Sequence, residues 1–187
     1  MSMQMMSVLG SAFLFADNLL TEEENKTLCS LCDEVRSNFK GKNPEGWDAT
    51  NTTTFIGFDP FQDERFRFYN NKVQEAVNSY AAEHKRSEPM NYSNGWVNFN
   101  RTGEFVEEHI HSESRLSCIY YAKCPEGSSG TMFKSPYNDM FGFPDNRDII
   151  VSEPMERRLI VFRSYIPHAV RAGKNKTERI TLASNWA

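Results

Sequence analysis

The chain has 187 residues, 39% of them hydrophobic and 25% charged, a composition typical of one globular domain with a sizeable core. A formal net charge of −4 gives no basic footprint, so nucleic acid is not expected as the primary partner. The apolar stretch at residues 7–16 is too short to span a membrane and lacks the basic flank of a signal peptide. We therefore expect a cytoplasmic protein with no membrane partner, and we leave its oligomeric state open.

Helical periodicity is confined to the first half of the chain. The segment 21–39 opens with a capping-box pattern, Thr21 followed by Glu24, and then carries apolar residues at helical spacing. The segment 63–85 has the same three- and four-residue spacing and predicts a second amphipathic helix. Residues 1–95 are therefore interpreted as a helical support region with a few strands.

The four cysteines are too few and too unevenly spaced for the disulfide framework of a secreted domain. Cys29 and Cys32 form a C-x-x-C pattern, but it has no second pair and lies in the apolar stripe of the first predicted helix. We expect these two thiols to pack in the core and not to serve metal binding or redox chemistry.

From Trp96 onward the hydrophobic period changes from helical to two. Short runs rich in aromatic and β-branched residues, separated by Gly, Pro, Ser and Asn, predict strands at 95–100, 104–111, 115–123, 131–134, 157–164, 168–172 and 179–186. The pattern predicts a mainly β domain, a jelly roll over residues 96–187, preceded by the two helices. We expect residues 1–187 to form one domain.

Three of the four histidines fall in this strand-rich half. On a strand, residues two apart point to the same side, so His109 and His111 can converge on one metal ion. His168 opens another short strand and can supply a third imidazole, whereas His84 lies in the second helix. Glu113 shares the same strand parity and is an alternative to His111. Either ligand set leaves open coordination positions and suits iron(II) or zinc.

Arg179 is the candidate anion-binding residue. It lies eleven residues after His168, at the head of an apolar strand, with Thr181 on the same face. A guanidinium in that position can bind a carboxylate through two parallel hydrogen bonds.

Together these motifs resemble the 2-oxoglutarate and iron(II)-dependent oxygenase superfamily, whose core is a double-stranded β-helix. The resemblance is to prolyl-hydroxylase-like members with His-x-His in place of the commoner His-x-Asp, and it runs from about residue 96 to residue 186. It implies that iron is held by His109, His111 and His168, with His109 matching the family's proximal histidine and His168 its distal one. It further implies that Arg179 holds the distal carboxylate of 2-oxoglutarate with Thr181 beside it.

Three more residues are candidates for the co-substrate site through the same resemblance. Tyr121 stands where related enzymes often place a phenol against the distal carboxylate, with a packed core tyrosine as the alternative interpretation. Asn98 and Asn100 lie on a strand leading toward the metal and could also reach the co-substrate.

The activity implied is hydroxylation of an unactivated C–H bond in a small molecule or peptide, with release of succinate and CO₂. The implied cofactor is iron(II), with 2-oxoglutarate as co-substrate and ascorbate as an optional reductant. His111 stands where most members have aspartate and leaves one more positive charge at the metal. This difference weakens the assignment of 2-oxoglutarate as co-substrate more than it weakens the assignment of iron.

Two alternatives stay open at this point. One is a metal-dependent cupin-type enzyme without an oxo-acid co-substrate, in which Arg179 anchors a substrate carboxylate. The other is a non-catalytic jelly-roll binding module. The stretch 135–158, between the metal-bearing strands, is interpreted either as a lid or binding loop or as an ordered surface connection.

Overall fold

The computed structural model describes residues 2–8, 11–40, 43–46, 49–136 and 149–187. Its helices and strands, in chain order, are β1 Ser2–Val8, β2 Ser11–Asp17, α1 Glu22–Asn38, β3 Thr52–Thr53, α2 Arg67–Glu83, β4 Tyr92–Asn100, β5 Val106–His109, β6 Leu116–Lys123, β7 Thr131–Lys134, β8 Ile149–Ser152, β9 Leu159–Arg163, β10 His168–Val170 and β11 Arg179–Trp186. Both predicted helices and all seven predicted strands are present. The four strands β1, β2, β3 and β8 lie outside the predicted set.

The strands form two antiparallel sheets. The larger has the order β1-β2-β9-β6-β11-β4-β3 and the smaller the order β5-β10-β7-β8. Strands from the first half of the chain occupy both edges of the larger sheet, so residues 1–95 contribute strands as well as the two helices. This mainly β architecture agrees with the predicted jelly roll.

The central strands of the larger sheet alternate their side chains between two different layers. On β9, Val161 packs with the apolar residues of α1 and α2, while its neighbours Ile160 and Phe162 pack with Phe133 of the smaller sheet. The strand period of two explains this division, because successive side chains point to opposite faces. The helices therefore cover one face of the larger sheet, and the smaller sheet covers the other.

The apolar stretch at residues 7–16 belongs to a hairpin of β1 and β2. Phe13 and Leu14 on β2 are almost fully buried, and they face opposite layers of the core. The segment therefore forms part of the core. Neither of the described helices is long and apolar enough to cross a membrane.

Within the stretch 135–158, the structure describes a strand that the sequence did not predict. Residues 149–152 form β8, which pairs with β7 at the edge of the smaller sheet. Residues 137–148 lie outside the described residues, so the lid interpretation of that part stays a prediction. The strand shows that the end of this stretch belongs to the β framework.

Helix α1 begins with the predicted capping box. The Thr21 hydroxyl accepts a hydrogen bond from the backbone N–H of Glu24, and the Glu24 carboxylate accepts one from the backbone N–H of Thr21. The helix is joined to β6 by Asn25, which donates to the Ala122 carbonyl at 2.9 Å and accepts from the Tyr120 hydroxyl at 2.8 Å. This amide satisfies two buried polar groups of the sheet.

We expect Asn25→Ala to lower the free energy of unfolding by about 1–3 kcal/mol, because it leaves the buried Tyr120 hydroxyl without its acceptor and the Ala122 carbonyl with only the weak thiol donor of Cys29. Urea unfolding followed by circular dichroism measures the change. Lys26→Ala, one residue along the helix on its exposed side, is the control and should change stability by less than about 0.5 kcal/mol. Equal effects of the two substitutions would contradict a role for the Asn25 amide.

Of the C-x-x-C cysteines, Cys32 packs in the core as predicted, and Cys29 is half-buried against it. Cys32 is fully buried, and the Cys29 thiol donates to the Ala122 carbonyl at 3.3 Å. Burial raises the pKa of Cys29 to about 11 and holds that of Cys32 well above its usual range. Both side chains are therefore neutral thiols at physiological pH, unsuited to binding metal as thiolates.

We expect Cys29 to react slowly with iodoacetamide at pH 8 in the folded protein, since only about one such side chain in a thousand is then a thiolate. The reaction should speed up as the pH approaches 11, and unfolding in urea should accelerate it at constant pH. Peptide mass spectrometry at timed intervals measures the labelled fraction. Rapid labelling of the folded protein at pH 8 would show that the thiol is not buried.

Candidate functional site

The structure brings His109, His111 and His168 together between the two sheets. His109 ends β5 and lies opposite His168, the first residue of β10. His111 lies two residues beyond β5, where its backbone N–H donates to the Ser164 carbonyl at 3.0 Å. The candidate ligand nitrogens of the three rings all lie within 4.8 Å of one another. Two nitrogens bound to one ion at roughly 2.1 Å are at most about 4.2 Å apart, so the rings are already near the required spacing.

Backbone carbonyls orient two of the three imidazoles. Nδ1 of His109 lies 2.8 Å from the Glu107 carbonyl, and Nδ1 of His168 lies 3.0 Å from the Ile166 carbonyl. A carbonyl only accepts, so Nδ1 carries the proton in each ring and Nε2 carries the lone pair. Such outer hydrogen bonds are typical of metal-binding histidines.

Burial keeps the three imidazoles neutral. It lowers the pKa of His109 and lowers that of His111 to about 4, where repulsion from His109 contributes further. The pKa of His168, which is buried against both other rings, lies well below its usual range. Neutral imidazole is the form that binds a metal ion, so the cluster is ready to do so at physiological pH.

Glu113, the alternative third ligand, does not join the cluster. The structure ends β5 at His109, and Glu113 is exposed in the turn that follows His111. The strand parity that aligned the two side chains in the sequence therefore does not extend to this residue. Among the described residues, the three histidines form the metal-ligating group by themselves.

Arg179 is buried at the head of β11, with 1% of its surface exposed. Its Nη1 donates to the side-chain oxygen of Asn100 at 3.1 Å, and its guanidinium lies 5.3 Å from the centre of the Tyr121 ring. Its Nε and Nη2 have no hydrogen-bond partner in the described part of the chain, nor does the side-chain nitrogen of Asn100. Unpaired buried donors are costly, so this arrangement is suited to an anionic ligand.

The remaining predicted co-substrate residues surround Arg179. Thr181 and Asn98 face each other across β11 and β4, and both line the cavity that contains the histidines. The Tyr121 hydroxyl donates to the Thr131 side chain at 2.8 Å and accepts from its backbone N–H at 3.1 Å. Tyr121 is thus a packed core residue whose ring lies beside Arg179, and its contact with a carboxylate stays a prediction.

One narrow cavity of about 50 Å³ connects the three histidines with Arg179. It shares His109 and His111 with a wider cleft of about 290 Å³, which also reaches the exposed side chain of Ile110. The cavity therefore has an inner end at the arginine and opens past the histidines toward the surface.

Some residues that line this cavity were not identified from the sequence. Trp96 shares strand parity with Asn98 and Asn100, so a period-two pattern could have placed it on the same face. Asn51 lies in an irregular connector, is 3% exposed and has a side-chain oxygen without a partner in the described structure. No local signal in the sequence marks Asn51, because its position depends on how the connector packs against β4.

The fold and the cavity define a jelly-roll protein with a candidate metal site. Comparison with known proteins supports this class. A family model described as "Putative 2OG-Fe(II) oxygenase" matches residues 94–185. No curated protein matches the chain significantly.

Solved structures match over nearly the whole chain. A Pseudomonas putida prolyl-4-hydroxylase has a TM-score of 0.69 at 16% identity, covering 93% of this chain and 91% of its own. A Trichoplax adhaerens prolyl hydroxylase, in complex with a hypoxia-inducible-factor peptide fragment, has a TM-score of 0.69 at 16% identity, covering 93% and 82%. The epimerase SnoN from nogalamycin biosynthesis has a TM-score of 0.71 at 8% identity, covering 94% and 77%. These similarities establish the fold as a double-stranded β-helix.

Residues 94–185, about half of the chain, belong to the 2-oxoglutarate and iron(II)-dependent oxygenase superfamily, as their motifs indicated. The matched region contains all three clustered histidines and Arg179. The superfamily places the protein among the oxidoreductases, and it implies iron(II) and 2-oxoglutarate.

Proposed function

We propose that this protein hydroxylates an unactivated C–H bond of a small molecule or peptide, using iron(II) and 2-oxoglutarate and releasing succinate and CO₂. The observation that carries the proposal is the buried guanidinium of Arg179, whose unpaired nitrogens share one cavity with three neutral histidines. A cation and a set of metal ligands in one narrow cavity fit a co-substrate that has a carboxylate at one end and a chelating group at the other.

His109, His111 and His168 would hold the metal. Three neutral imidazoles would leave coordination positions open, as a catalytic non-haem iron requires. When bound, iron(II) supplies the oxygen chemistry and the oxidative decarboxylation of 2-oxoglutarate. The protein's own contribution is to hold the imidazoles in the correct tautomer and to exclude water around them.

Charge balance favours a dianionic co-substrate. The described histidine cluster contains no carboxylate ligand, so a divalent ion there keeps its full charge, and Arg179 adds another buried positive charge. Buried charges are costly unless they are paired, and 2-oxoglutarate offers one carboxylate to each cation. The replacement of the commoner aspartate by His111 is therefore compatible with this co-substrate.

Arg179, Thr181 and Asn100 would bind the distal carboxylate. Nε and Nη2 of Arg179 are unpaired donors at this end of the cavity, and the unpaired side-chain nitrogen of Asn100 belongs to the amide that Arg179 contacts. Asn98 lies two residues from Asn100 on β4, lines the cavity and would contact the body of the co-substrate. The primary substrate would approach through the wider cleft beside His111. Two of the similar proteins are prolyl hydroxylases by name, which is compatible with a peptide substrate.

The test is anaerobic addition of iron(II), and then of 2-oxoglutarate, to metal-free protein. We expect a visible charge-transfer band only after the oxo acid is added, and slow succinate formation once oxygen is admitted. Ascorbate should sustain that turnover without being needed for the band. Iron binding without the band would favour the cupin-type enzyme, and failure to bind metal at all would favour the non-catalytic binding module.

A further inference from the structure

A second pocket lies where α2 ends, beside the adjoining ends of β6 and β9. We call it the basic pocket; its volume is about 210 Å³ and its lining includes Arg86, Arg115, Arg163 and His84. Arg86 follows α2, Arg115 precedes β6, and Arg163 ends β9, so three separate elements each contribute an arginine to its lining. Such convergence of like charges is unfavourable unless an anion offsets it.

The described residues supply no such anion. No carboxylate in the described part of the chain forms a salt bridge with Arg86, Arg115 or Arg163. Six of the other described arginines each have an acidic partner, namely Arg36, Arg65, Arg67, Arg101, Arg157 and Arg158. Arg171 and Arg179 also form no salt bridge within the described residues, but neither lines the basic pocket. Acidic residues outnumber basic ones by 25 to 21, so the unpaired cluster does not reflect a shortage of carboxylates.

The arginines are held in place by contacts that leave their charge uncompensated. The guanidinium of Arg163 lies 5.6 Å from the centre of the Tyr80 ring, and Nε of Arg86 donates to the Glu88 carbonyl at 3.3 Å. The backbone of Arg115 is anchored on both sides, since its N–H donates to Trp186 and its carbonyl accepts from Ser164. These contacts restrict the Arg163 and Arg86 side chains and the Arg115 backbone before a ligand binds, which lowers the entropic cost of binding.

Stabilisation of the α2 end explains only part of this arrangement. A positive charge near a helix C-terminus is favourable, and Arg86 follows directly after the last turn of α2. Arg115 and Arg163 belong to the sheet, however, and offsetting the partial charge of one helix end does not require three guanidinium groups. A ligand with more than one negative charge accounts for all three.

We propose that the basic pocket binds the phosphate or diphosphate group of a small soluble molecule. Arginine matches phosphate oxygens through paired hydrogen bonds, and several guanidinium groups can share a multiply charged anion. The pocket is separate from the histidine cavity, because Leu116 packs with the helix-side core, whereas the next residue along β6, Ser117, lines that cavity. The proposal is therefore independent of the iron chemistry.

The test is calorimetric titration of the metal-free full-length protein with inorganic pyrophosphate. We expect one saturable site, weakened about tenfold or more by Arg115→Gln and by Arg163→Gln, since each loses a charge-assisted hydrogen bond. Arg115 is exposed, so its substitution should leave the fold intact, and thermal unfolding checks this. Arg67→Gln is the matched control, because Arg67 begins α2 at the end away from the pocket and is paired with Glu64; this variant should bind as the unmodified protein does.

Arg179→Met serves as the control for the histidine cavity and should also leave pyrophosphate binding unchanged. Absence of saturable binding would overturn the proposal, as would binding that Arg179→Met abolishes or that the basic-pocket substitutions do not affect. Sedimentation with vesicles containing phosphatidic acid separates a lipid headgroup from a soluble ligand. Vesicle binding that depends on Arg115, without binding of pyrophosphate, would also overturn it.

Discussion

Replacing His168 with alanine is expected to abolish stoichiometric iron(II) binding and, with it, succinate formation from 2-oxoglutarate. His168 is the most buried of the three clustered imidazoles, and its ring centre lies 4.3 Å from that of His109 and 5.1 Å from that of His111. Loss of a group that only orients a metal ligand typically costs 10- to 100-fold in affinity, so loss of a ligand itself should cost at least about 100-fold.

Equilibrium dialysis with iron(II) under anaerobic conditions measures this loss directly. His84→Ala is the matched control, because His84 is the histidine at the end of α2 and lies outside the cluster. It should bind iron as the unmodified protein does. If His168→Ala retained one tightly bound iron per chain, the three-histidine site would be wrong, whatever the effect on turnover.

Replacing Arg179 with methionine is expected to raise the dissociation constant of 2-oxoglutarate by about ten- to a hundredfold while leaving iron binding unchanged. The substitution removes the charged donors at the inner end of the cavity, and a hydrogen bond to a charged group contributes roughly 1.5–3 kcal/mol. The intensity of the charge-transfer band, followed as 2-oxoglutarate is added anaerobically, reports the dissociation constant.

The same substitution should not destabilise the protein in the absence of co-substrate. Arg179 is a buried cation whose only side-chain hydrogen bond among the described residues is to Asn100, so an apolar chain of similar length relieves an unpaired charge. We expect an unchanged or higher midpoint of thermal unfolding. Arg171→Met, at an exposed position after β10, is the control and should affect neither property. Unchanged affinity for 2-oxoglutarate in Arg179→Met would remove the main support for the proposed co-substrate site.

Much of the fold and most of the candidate site could be predicted from local patterns. The capping box placed the start of α1, and period-two alternation identified the strands that carry His109, His168 and Arg179. The spacing His-x-His also indicated that two imidazoles share a side. These features depend on residues close together in the chain, where backbone geometry determines which side chains share a face.

Other features were missed because they depend on contacts between distant segments. The strands β1 and β2 were read as an apolar stretch without a defined role, and β8 as part of a connection, since short apolar runs do not identify their partners. Parity included Glu113 as a candidate ligand, but the strand ends at His109 and the chain turns there. The end of a strand is decided by its neighbours in the sheet.

By itself, the sequence determined the residue types of the site, its strand-borne histidines and the mainly β class, because those follow from side-chain chemistry and local periodicity. Only the tertiary structure decided that Arg179 is buried with unpaired donors, that Asn51 and Trp96 line its cavity, and that three arginines meet in the basic pocket. Burial and the absence of a nearby counter-charge are properties of packed segments far apart in the chain. They arise when the sheets and helices come together.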